Sequence, residues 1–285
     1  MANPHFANLG DVWKHLLLTE VISWLQPGHY VETHAGSAFY ALTDDLERGL
    51  GAELFLTASS EIEPLRSSPY RRTILRLARG AAPSYPGSPL LAMMLLGRAC
   101  RYVFCDTDPS SAADLRAARE RLGLQKEVQV IDGDGLAETT ALLHANAIGA
   151  AGLVHVDPFD FRATGPTATS ALQLVTRLAA AGIPTFAWNG LTPRSAPHDL
   201  FHEVTAEAPT ARAWSAELRV GGQRANVAGI GSGCGVLFTA GDLAPVESMR
   251  RVADAYVCAF NEHPNAADAG VHVTASYALT SSDTR

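Results

Sequence analysis

Four short apolar segments recur along the first part of the chain, each ending in a polar residue or a glycine, with helical segments between them. Apolar runs that alternate with helices are typical of a parallel sheet covered on both faces. The carboxyl ends of parallel strands lie at one edge of a sheet, and ligands bind beyond that edge. The pattern therefore predicts an α/β fold with a site for a nucleoside cofactor. The strand ends carry His34-Ala35-Gly36, Asp106, Asp132-Gly133 and Asp157-Pro158.

Three further apolar segments follow and bring the predicted sheet to seven strands. Residues 183–189, IPTFAWN, are expected to form the fifth strand. Residues 213–220 and 234–240 are separated by glycine-rich turns and predict two antiparallel strands at the sheet edge. The expected sheet is mostly parallel, with helices on both faces.

The rest of the chain is expected to be helical or frayed, within a single domain over residues 1–285. Apolar spacing predicts a helix over residues 11–25 and a second over 39–49. Residues 51–82 are rich in Leu, Arg and Ser and break the alternation, which predicts an inserted helical subdomain. The polar tail, residues 262–285, is expected to fray.

Composition and charge argue against several classes of protein for this chain. Its 285 residues are 47% hydrophobic, enough to bury a sizeable core. The net charge of −7 counts against a nucleic-acid partner, because phosphate neutralisation needs a basic face. No window is long and apolar enough to span a membrane, and the N-terminus lacks a signal-peptide pattern. We therefore expect a soluble, cytoplasmic protein with no membrane partner; the oligomeric state is left open.

Asp106 and Gly36 are candidate cofactor-binding residues. An acid at the end of the second strand can accept both hydrogen bonds of a ribose diol, although Asp106 could equally cap the next helix. Gly36 lies in ETHAGSAFY, which lacks the dinucleotide-binding glycine pattern. A single glycine still lets the backbone approach a ligand, or it serves a plain turn.

Asp132 and Gly133 are expected near an adenine ring, where the acid or its neighbouring amide would read the exocyclic amine. DGDG is also an ordinary tight turn. Calcium-binding spacing is missing, so no metal site is expected.

Asp157-Pro158-Phe159-Asp160-Phe161 resembles the D/N-P-P-Y/F motif of amino-methyltransferases. In that motif the acid accepts hydrogens of the target amine while the aromatic ring stacks on the base. Phe159 or Phe161 could stack, or either could be a core residue. Asp160 could pair with Asp157 as a general base or face solvent.

Seven segments together resemble the RlmJ family, which methylates one adenine of large-subunit (23S) ribosomal RNA at N6. The resemblance implies a Rossmann-like class I S-adenosylmethionine (SAM) methyltransferase fold, with SAM as cofactor and a helical insertion at residues 45–85. It also implies a SAM pocket. From the sequence alone, Lys14 and His15 could equally be surface residues of a helix, and Ser88 could be a turn residue. The segments are FANLGDVWKH, ETHAGSAFY, YPGSPL, DTDP, the DG of Asp132-Gly133, VDP and GSGCGVLF, and the implied pocket residues are Lys14, His15, His34, Ser88, Asp106, Asp132, Gly133 and Asp157.

Departures from the family fall on its RNA-facing features. The family's N-terminal Y-R-H-x-F-H-A-G-N is shortened to NPHFANLG, the D-P-P-Y motif is altered, and the net charge is negative. The cofactor residues persist, so we expect a retained cofactor and a small-molecule substrate. Either SAM's methyl group goes to an amine, or its aminobutyryl chain is used with release of methylthioadenosine.

Two alternatives stay open. The chain could be an authentic 23S rRNA adenine-N6 methyltransferase, with a basic run contacting phosphates, or a non-catalytic SAM-binding scaffold. In the first case the run would be Arg71, Arg72, Arg76 and Arg79.

Overall fold

The parallel strands predicted from the alternation form the centre of the fold. The computed structural model describes residues 6–41, 46–78, 84–164, 168–222 and 229–280. Its strands are β1 (His29–Glu32), β2 (Phe39–Ala41), β3 (Ser84–Pro86), β4 (Arg101–Asp106), β5 (Val128–Asp132), β6 (Gly152–Val156), β7 (Thr185–Gly190), β8 (Ala213–Gly222), β9 (Gly233–Thr239) and β10 (Val271–Leu279). Within the described residues the main sheet has eight strands, in the order β10-β8-β9-β7-β6-β1-β4-β5, and β2 pairs with β3 separately.

The first five predicted strands are confirmed as the parallel part of this sheet. Strand β1 lies between β4 and β6 and runs parallel to both, and β5 and β7 extend the parallel part on either side. All five residues of β6 are buried, as expected for a strand covered on both faces.

Helices cover both faces of the sheet. Alternate residues of each strand face opposite sides, so Tyr30 packs with α1 in one apolar cluster and Val31 with α9 in another. The helices are α1 (Leu9–Leu25), α2 (Leu46–Arg48), α3 (Leu54–Ala58), α4 (Glu63–Arg66), α5 (Pro69–Leu77), α6 (Ser88–Leu96), α7 (Pro109–Arg121), α8 (Gly135–His144), α9 (Ala171–Ala180), α10 (Asp199–Glu207), α11 (Pro245–Glu262) and α12 (Pro264–Ala269).

Helix α1 is buried on nearly all sides, rather than along one stripe. The side chain of Asn8 caps it by accepting a hydrogen bond from the Asp11 backbone at 2.9 Å. It ends at Gln26, which adopts a left-handed conformation just before Pro27. Helices α5, α6 and α11 pack around it. The polar side chains of α1 therefore lie inside the molecule.

The chain's tail is ordered, so its predicted fraying is wrong for the described residues up to 280. Strand β10 pairs antiparallel with β8 and adds the eighth strand to the predicted seven. Val271 and Val273 are buried against the core, and Tyr277 stacks on Trp214. Residues of VHVTASYAL alternate between a buried and an exposed face, as in a strand with one face in solvent. The polar residues on the exposed face made the segment resemble a frayed tail. Strands β8 and β9 are antiparallel, as predicted.

The helix predicted over residues 39–49 is wrong at its start. Residues Phe39–Ala41 form β2, which pairs antiparallel with β3, the strand directly before α6. Pairing with this distant segment is not visible in the local apolar spacing. The predicted insertion, residues 45–85, contains α2 to α5 and a π-helical turn at Gly49–Glu53. Its helices pack on α1 and α11. Residues 42–45 and 79–83, including Arg79, lie outside the described residues.

No helix in the described ranges is long and apolar enough to cross a membrane.

Replacement of Gly135 by alanine is expected to destabilise the fold. A Cβ at this first residue of α8 would lie 1.9 Å from the carbonyl oxygen of Thr33, so strand β1 or helix α8 must move. We expect Gly135→Ala to lower the free energy of unfolding by about 2 to 3 kcal/mol, measured by urea denaturation. Gly149 is the matched control, because a Cβ there meets no atom within 4 Å. Equal effects of the two substitutions would contradict this close approach.

Candidate active site

A cavity of about 620 Å³ opens at the carboxyl ends of the parallel strands. This volume is in the range of small-molecule and cofactor sites. Residues from α1, from the segment after β1, from the start of α6 and from the ends of β4, β6 and β7 line it. Eight residues singled out from the sequence are brought together here: Lys14, His15, His34, Gly36, Ser88, Asp106, Asp157 and Phe159.

Asp106 joins the end of β4 to the turn after β1. One carboxylate oxygen accepts the Gly36 backbone N–H at 2.7 Å, and the other accepts that of Asp108 at 2.8 Å. Gly36 has φ +61°, a left-handed conformation that glycine adopts readily. Asp108 is the residue that caps helix α7, so the alternative role of Asp106 as helix cap is wrong. Each oxygen of Asp106 has a second lone pair for a ligand.

Asp157 lies at the end of β6 in a buried ion pair. The Nζ of Lys14 is 2.6 Å from an oxygen of Asp157 and 3.0 Å from one of Asp11. Burial alone would raise the pKa of Asp157, but the Lys14 ammonium holds it below its ordinary value. Burial would likewise lower the pKa of Lys14, and the charges of Asp157 and Asp11 raise it instead. The pair is therefore charged across the neutral pH range.

Ser88 is linked to a carboxylate at the centre of the sheet. Its hydroxyl donates to Glu32, which is completely buried on β1. The same Glu32 oxygen lies 2.8 Å from Nδ1 of His155, and the other accepts the hydroxyl of Tyr30 at 3.3 Å. A buried carboxylate needs such compensation for its lost hydration. Ser88 is thus the last residue in a set of hydrogen-bonded side chains that extends from the core to the cavity.

His15 is linked to two buried tyrosines. Its Nδ1 lies 2.9 Å from the hydroxyl of Tyr85, which lies 2.8 Å from that of Tyr70 on α5. Burial, together with the charge of Lys14, lowers the pKa of His15 well below its ordinary value. Nε2 of His15 is buried and has no hydrogen-bond partner within the described part of the chain.

His34 is partly buried beside the cavity. Its Nδ1 lies 2.8 Å from the hydroxyl of Thr33. Burial lowers the pKa of His34, although Asp157 and Asp106 act in the opposite direction. The imidazole is therefore neutral at neutral pH.

Three residues predicted from the sequence do not line the cavity. Asp132 is half exposed and pairs with Arg116, while the backbone N–H of Gly133 donates to the Asp106 carbonyl at 3.0 Å. Asp160 is exposed and closes its turn by accepting the backbone N–H groups of Arg162 and Ala163. The roles predicted for Asp132, Gly133 and Asp160 stay predictions.

The two aromatic residues of the motif have different environments. Phe161 is buried in the core, whereas Phe159 is fully exposed at the edge of the cavity. Only Phe159 is thus accessible to a ligand.

Sequence reasoning missed several lining residues. Trp188 lies at the end of the fifth predicted strand, and its ring is 5.6 Å from Nζ of Lys14. Asp11 lies three residues before Lys14 in α1 and within FANLGDVWKH, so helical spacing contained a signal that was not used. Tyr40 and Tyr85 lie within ETHAGSAFY and YPGSPL, so those segments contained a signal for them.

Comparisons with known proteins agree with this architecture. The family model described as "RsmJ: Ribosomal RNA large subunit methyltransferase D, RlmJ" matches residues 26–252. The Escherichia coli (strain K12) protein named "Ribosomal RNA large subunit methyltransferase J" is 28% identical over 162 residues, which are 54% of this chain and 56% of that protein. The chain thus spans about half the length of the curated relative it matches.

A solved structure matches nearly the whole chain. The crystal structure of a protein from Legionella pneumophila str. Philadelphia 1 has a TM-score of 0.71 and 21% identity, covering 98% of this chain and 99% of that one. The mostly parallel eight-stranded sheet and the family match together identify the fold as Rossmann-like, of the class I SAM methyltransferases. The fold class predicted from the sequence is confirmed, with eight strands instead of seven.

The cavity suits SAM, the cofactor of such a methyltransferase. Four carboxylates and one lysine line it, and the lysine is paired, which favours a ligand with a positively charged sulfur. Asp106 has lone pairs for a ribose diol, and the unpartnered Nε2 of His15 leaves a polar group for a ligand. No group of His, Cys, Asp and Glu able to hold a metal ion occurs among the described residues.

Replacement of Asp106 by alanine is expected to weaken SAM binding. Loss of a charged acceptor for the ribose should raise the dissociation constant about tenfold or more, measured by isothermal titration calorimetry. The exposed Asp268 on α12 is the control, and Asp268→Ala should bind SAM like the unaltered protein. Unchanged affinity of Asp106→Ala would place the ribose elsewhere.

Proposed function

The chain belongs to the RsmJ family, described as ribosomal RNA large subunit methyltransferase D, RlmJ, and within this family we propose that it transfers a methyl group from SAM to an amino group of a small-molecule acceptor. One observation carries this proposal: Asp157, at the tip of β6 and beside the cavity, is held ionised by Lys14. A carboxylate in that state accepts the N–H groups of an amine.

Asp157 orients the acceptor. Lys14 contacts one of its oxygen atoms, which leaves the second oxygen to accept a hydrogen bond from the amine. Fixing the N–H direction also fixes the direction of the nitrogen lone pair. Binding thereby aligns the lone pair with the methyl group that it attacks. Lys14 in turn is held by Asp11 and faces the ring of Trp188.

The reaction needs a methyl donor and a place for the displaced proton. When bound, SAM supplies an electrophilic methyl group on a positively charged sulfur. Transfer would form the N–CH₃ bond as the S–CH₃ bond breaks, with S-adenosylhomocysteine as the leaving group, and the Asp157 carboxylate would stabilise the positive charge that develops on nitrogen. The nitrogen's proton then passes to water. The low pKa of Asp157 suits this role of charge stabilisation better than that of a strong base.

The charge around the cavity supports a small acceptor over RNA. Lys14 is the one lysine or arginine among the described lining residues, and two carboxylates already engage it. RNA phosphates would therefore meet a negative surface. In the basic run on α5, Arg71 donates to the Ser59 hydroxyl and Arg72 to the Ser67 carbonyl, which engages both within the insertion.

A specific observation favours the second candidate, adenine of 23S ribosomal RNA. Phe159 is fully exposed beside Pro158 at the cavity, and exposed aromatic rings stack on splayed-out bases. The curated relative from Escherichia coli is also named as a ribosomal RNA methyltransferase. Both candidates use the same Asp157 and differ in what the cavity's entrance accepts.

Product analysis distinguishes these candidates. The protein is incubated with SAM alone, with a filtered extract of small metabolites, or with unmodified 23S rRNA, followed by mass spectrometry. We expect S-adenosylhomocysteine to form with the metabolite fraction and not with RNA. Formation with RNA alone, together with N6-methyladenine, would establish the second candidate instead. Methylthioadenosine from SAM alone would mean that the aminobutyryl chain is used, and binding without any product would indicate a scaffold.

Matched variants of two acids in one turn accompany this assay. Asp157→Ala removes both the charge and the acceptor oxygens of the side chain, and should lower kcat at least about a hundredfold. Asp160→Ala should have a much smaller effect, because Asp160 contacts backbone N–H groups outside the cavity. An equal loss in Asp160→Ala would support its predicted role as a second catalytic acid.

The pH dependence of the reaction should change when Lys14 is replaced. In the unaltered protein the pKa of Asp157 is lowered, so its charge, and the stability from the pair, is lost only as the pH falls below the ordinary carboxyl range. In Lys14→Met, burial raises that pKa because the opposing charge is gone. We expect kcat/KM, measured from pH 5 to 9, to fall on the acid side at a higher pH than in the unaltered protein. If the two pH profiles coincided, the acid-side fall in kcat/KM would not come from protonation of Asp157.

A further inference from the structure

Two buried hydrogen-bond chains end at the cavity. The serine chain consists of Tyr30, His155, Glu32 and Ser88, and the tyrosine chain consists of Tyr70, Tyr85 and His15. Both chains lie almost entirely out of contact with water. The direction of each hydrogen bond in them is therefore set by the protein.

The serine chain makes Ser88 an acceptor toward the cavity. The hydroxyl of Ser88 donates its one hydrogen to the carboxylate oxygen of Glu32. The lone pairs of the Ser88 oxygen remain for a ligand. Because a hydroxyl in this state cannot donate again, it favours a cation or an N–H group over a carboxylate.

The tyrosine chain makes His15 a donor. If Nδ1 of His15 carried the proton, Tyr85 would donate to Tyr70, and the proton of Tyr70 would lack an acceptor in the described core. An unsatisfied buried donor is costly. The alternative satisfies every hydroxyl, since Tyr70 donates to Tyr85 and Tyr85 donates to Nδ1 of His15. The hydrogen of the neutral ring then lies on Nε2, the atom without a protein partner.

We propose that these two chains fix Ser88 as an acceptor and His15 as a donor, so that together they select the zwitterionic amino-acid end of the cofactor. Ser88 accepts from the α-ammonium group, and Nε2–H of His15 donates to the α-carboxylate. Glu32 and Tyr85 are positioning residues that act through Ser88 and His15. The inference rests on the proposed function only in taking the cofactor to be SAM.

Three ligands and two variants test the inference by calorimetric binding, without turnover. The ligands are S-adenosylhomocysteine, its analogue without the α-amino group and its analogue without the α-carboxylate. Glu32→Gln should weaken S-adenosylhomocysteine about tenfold or more, and the analogue without the amino group by less than about twofold. Tyr85→Phe should give the opposite pattern. It should weaken the binding of the two ligands that have the α-carboxylate and leave the affinity for the analogue without it nearly unchanged.

Further variants keep the test decisive. Ser88→Ala should reproduce the ligand selectivity of Glu32→Gln, and it carries the test if the buried Glu32 substitution prevents folding. Tyr277→Phe removes a hydroxyl that contacts the exposed Asp254 and should leave all three affinities unchanged. Equal losses for all three ligands would mean that the chains are structural only and would overturn the inference. Failure of the unaltered protein to bind S-adenosylhomocysteine would overturn the cofactor assignment as well.

Discussion

The ion pair between Lys14 and Asp157 constrains much of the surrounding structure. A buried carboxylate is stable only when an opposite charge or several donors compensate for its lost hydration. The compensating ammonium comes from α1, so this helix must enter the interior at the carboxyl ends of the strands. Helices α5, α6 and α11 then cover the rest of α1. The insertion and α11 are therefore part of what keeps the site's charge balanced.

Polar groups around the cavity are arranged in linked sets that join distant segments. Asp106 fixes the turn after β1, and Glu32 joins the centre of the sheet to the start of α6. Close packing reinforces these links, since Gly87 has no room for a Cβ next to the Ser37 carbonyl. Side chains held from two directions lose little further freedom when a ligand binds, which favours a preformed site.

Much of the fold could be predicted from the sequence because apolar periodicity is a local property. The parallel strands and the acids at their ends, Asp106 and Asp157, follow from runs of a few residues. The tail strand could not be recognised, because half of its residues face solvent and its identity depends on pairing with β8. Trp188 was missed for a similar reason, because its role arises only when α1 and β7 meet at the cavity. Asp11 could have been recognised, because it lies three residues before Lys14 on the same face of α1. The places of Lys14, His15 and Ser88 came from family resemblance, not from any pattern in the residues themselves.

Tyr70 gives the insertion a thermodynamic connection to the cavity. It lies on α5, and its hydroxyl is the first donor of a chain that ends at His15. Any ligand held by His15 therefore strengthens the docking of α5 on α1, and by reciprocity loosened docking weakens that ligand. Substitutions on the side of the insertion that carries Tyr70 should therefore change cofactor affinity, although they lie far from the reacting atoms. Substitutions on its outer face do not touch this chain of hydrogen bonds.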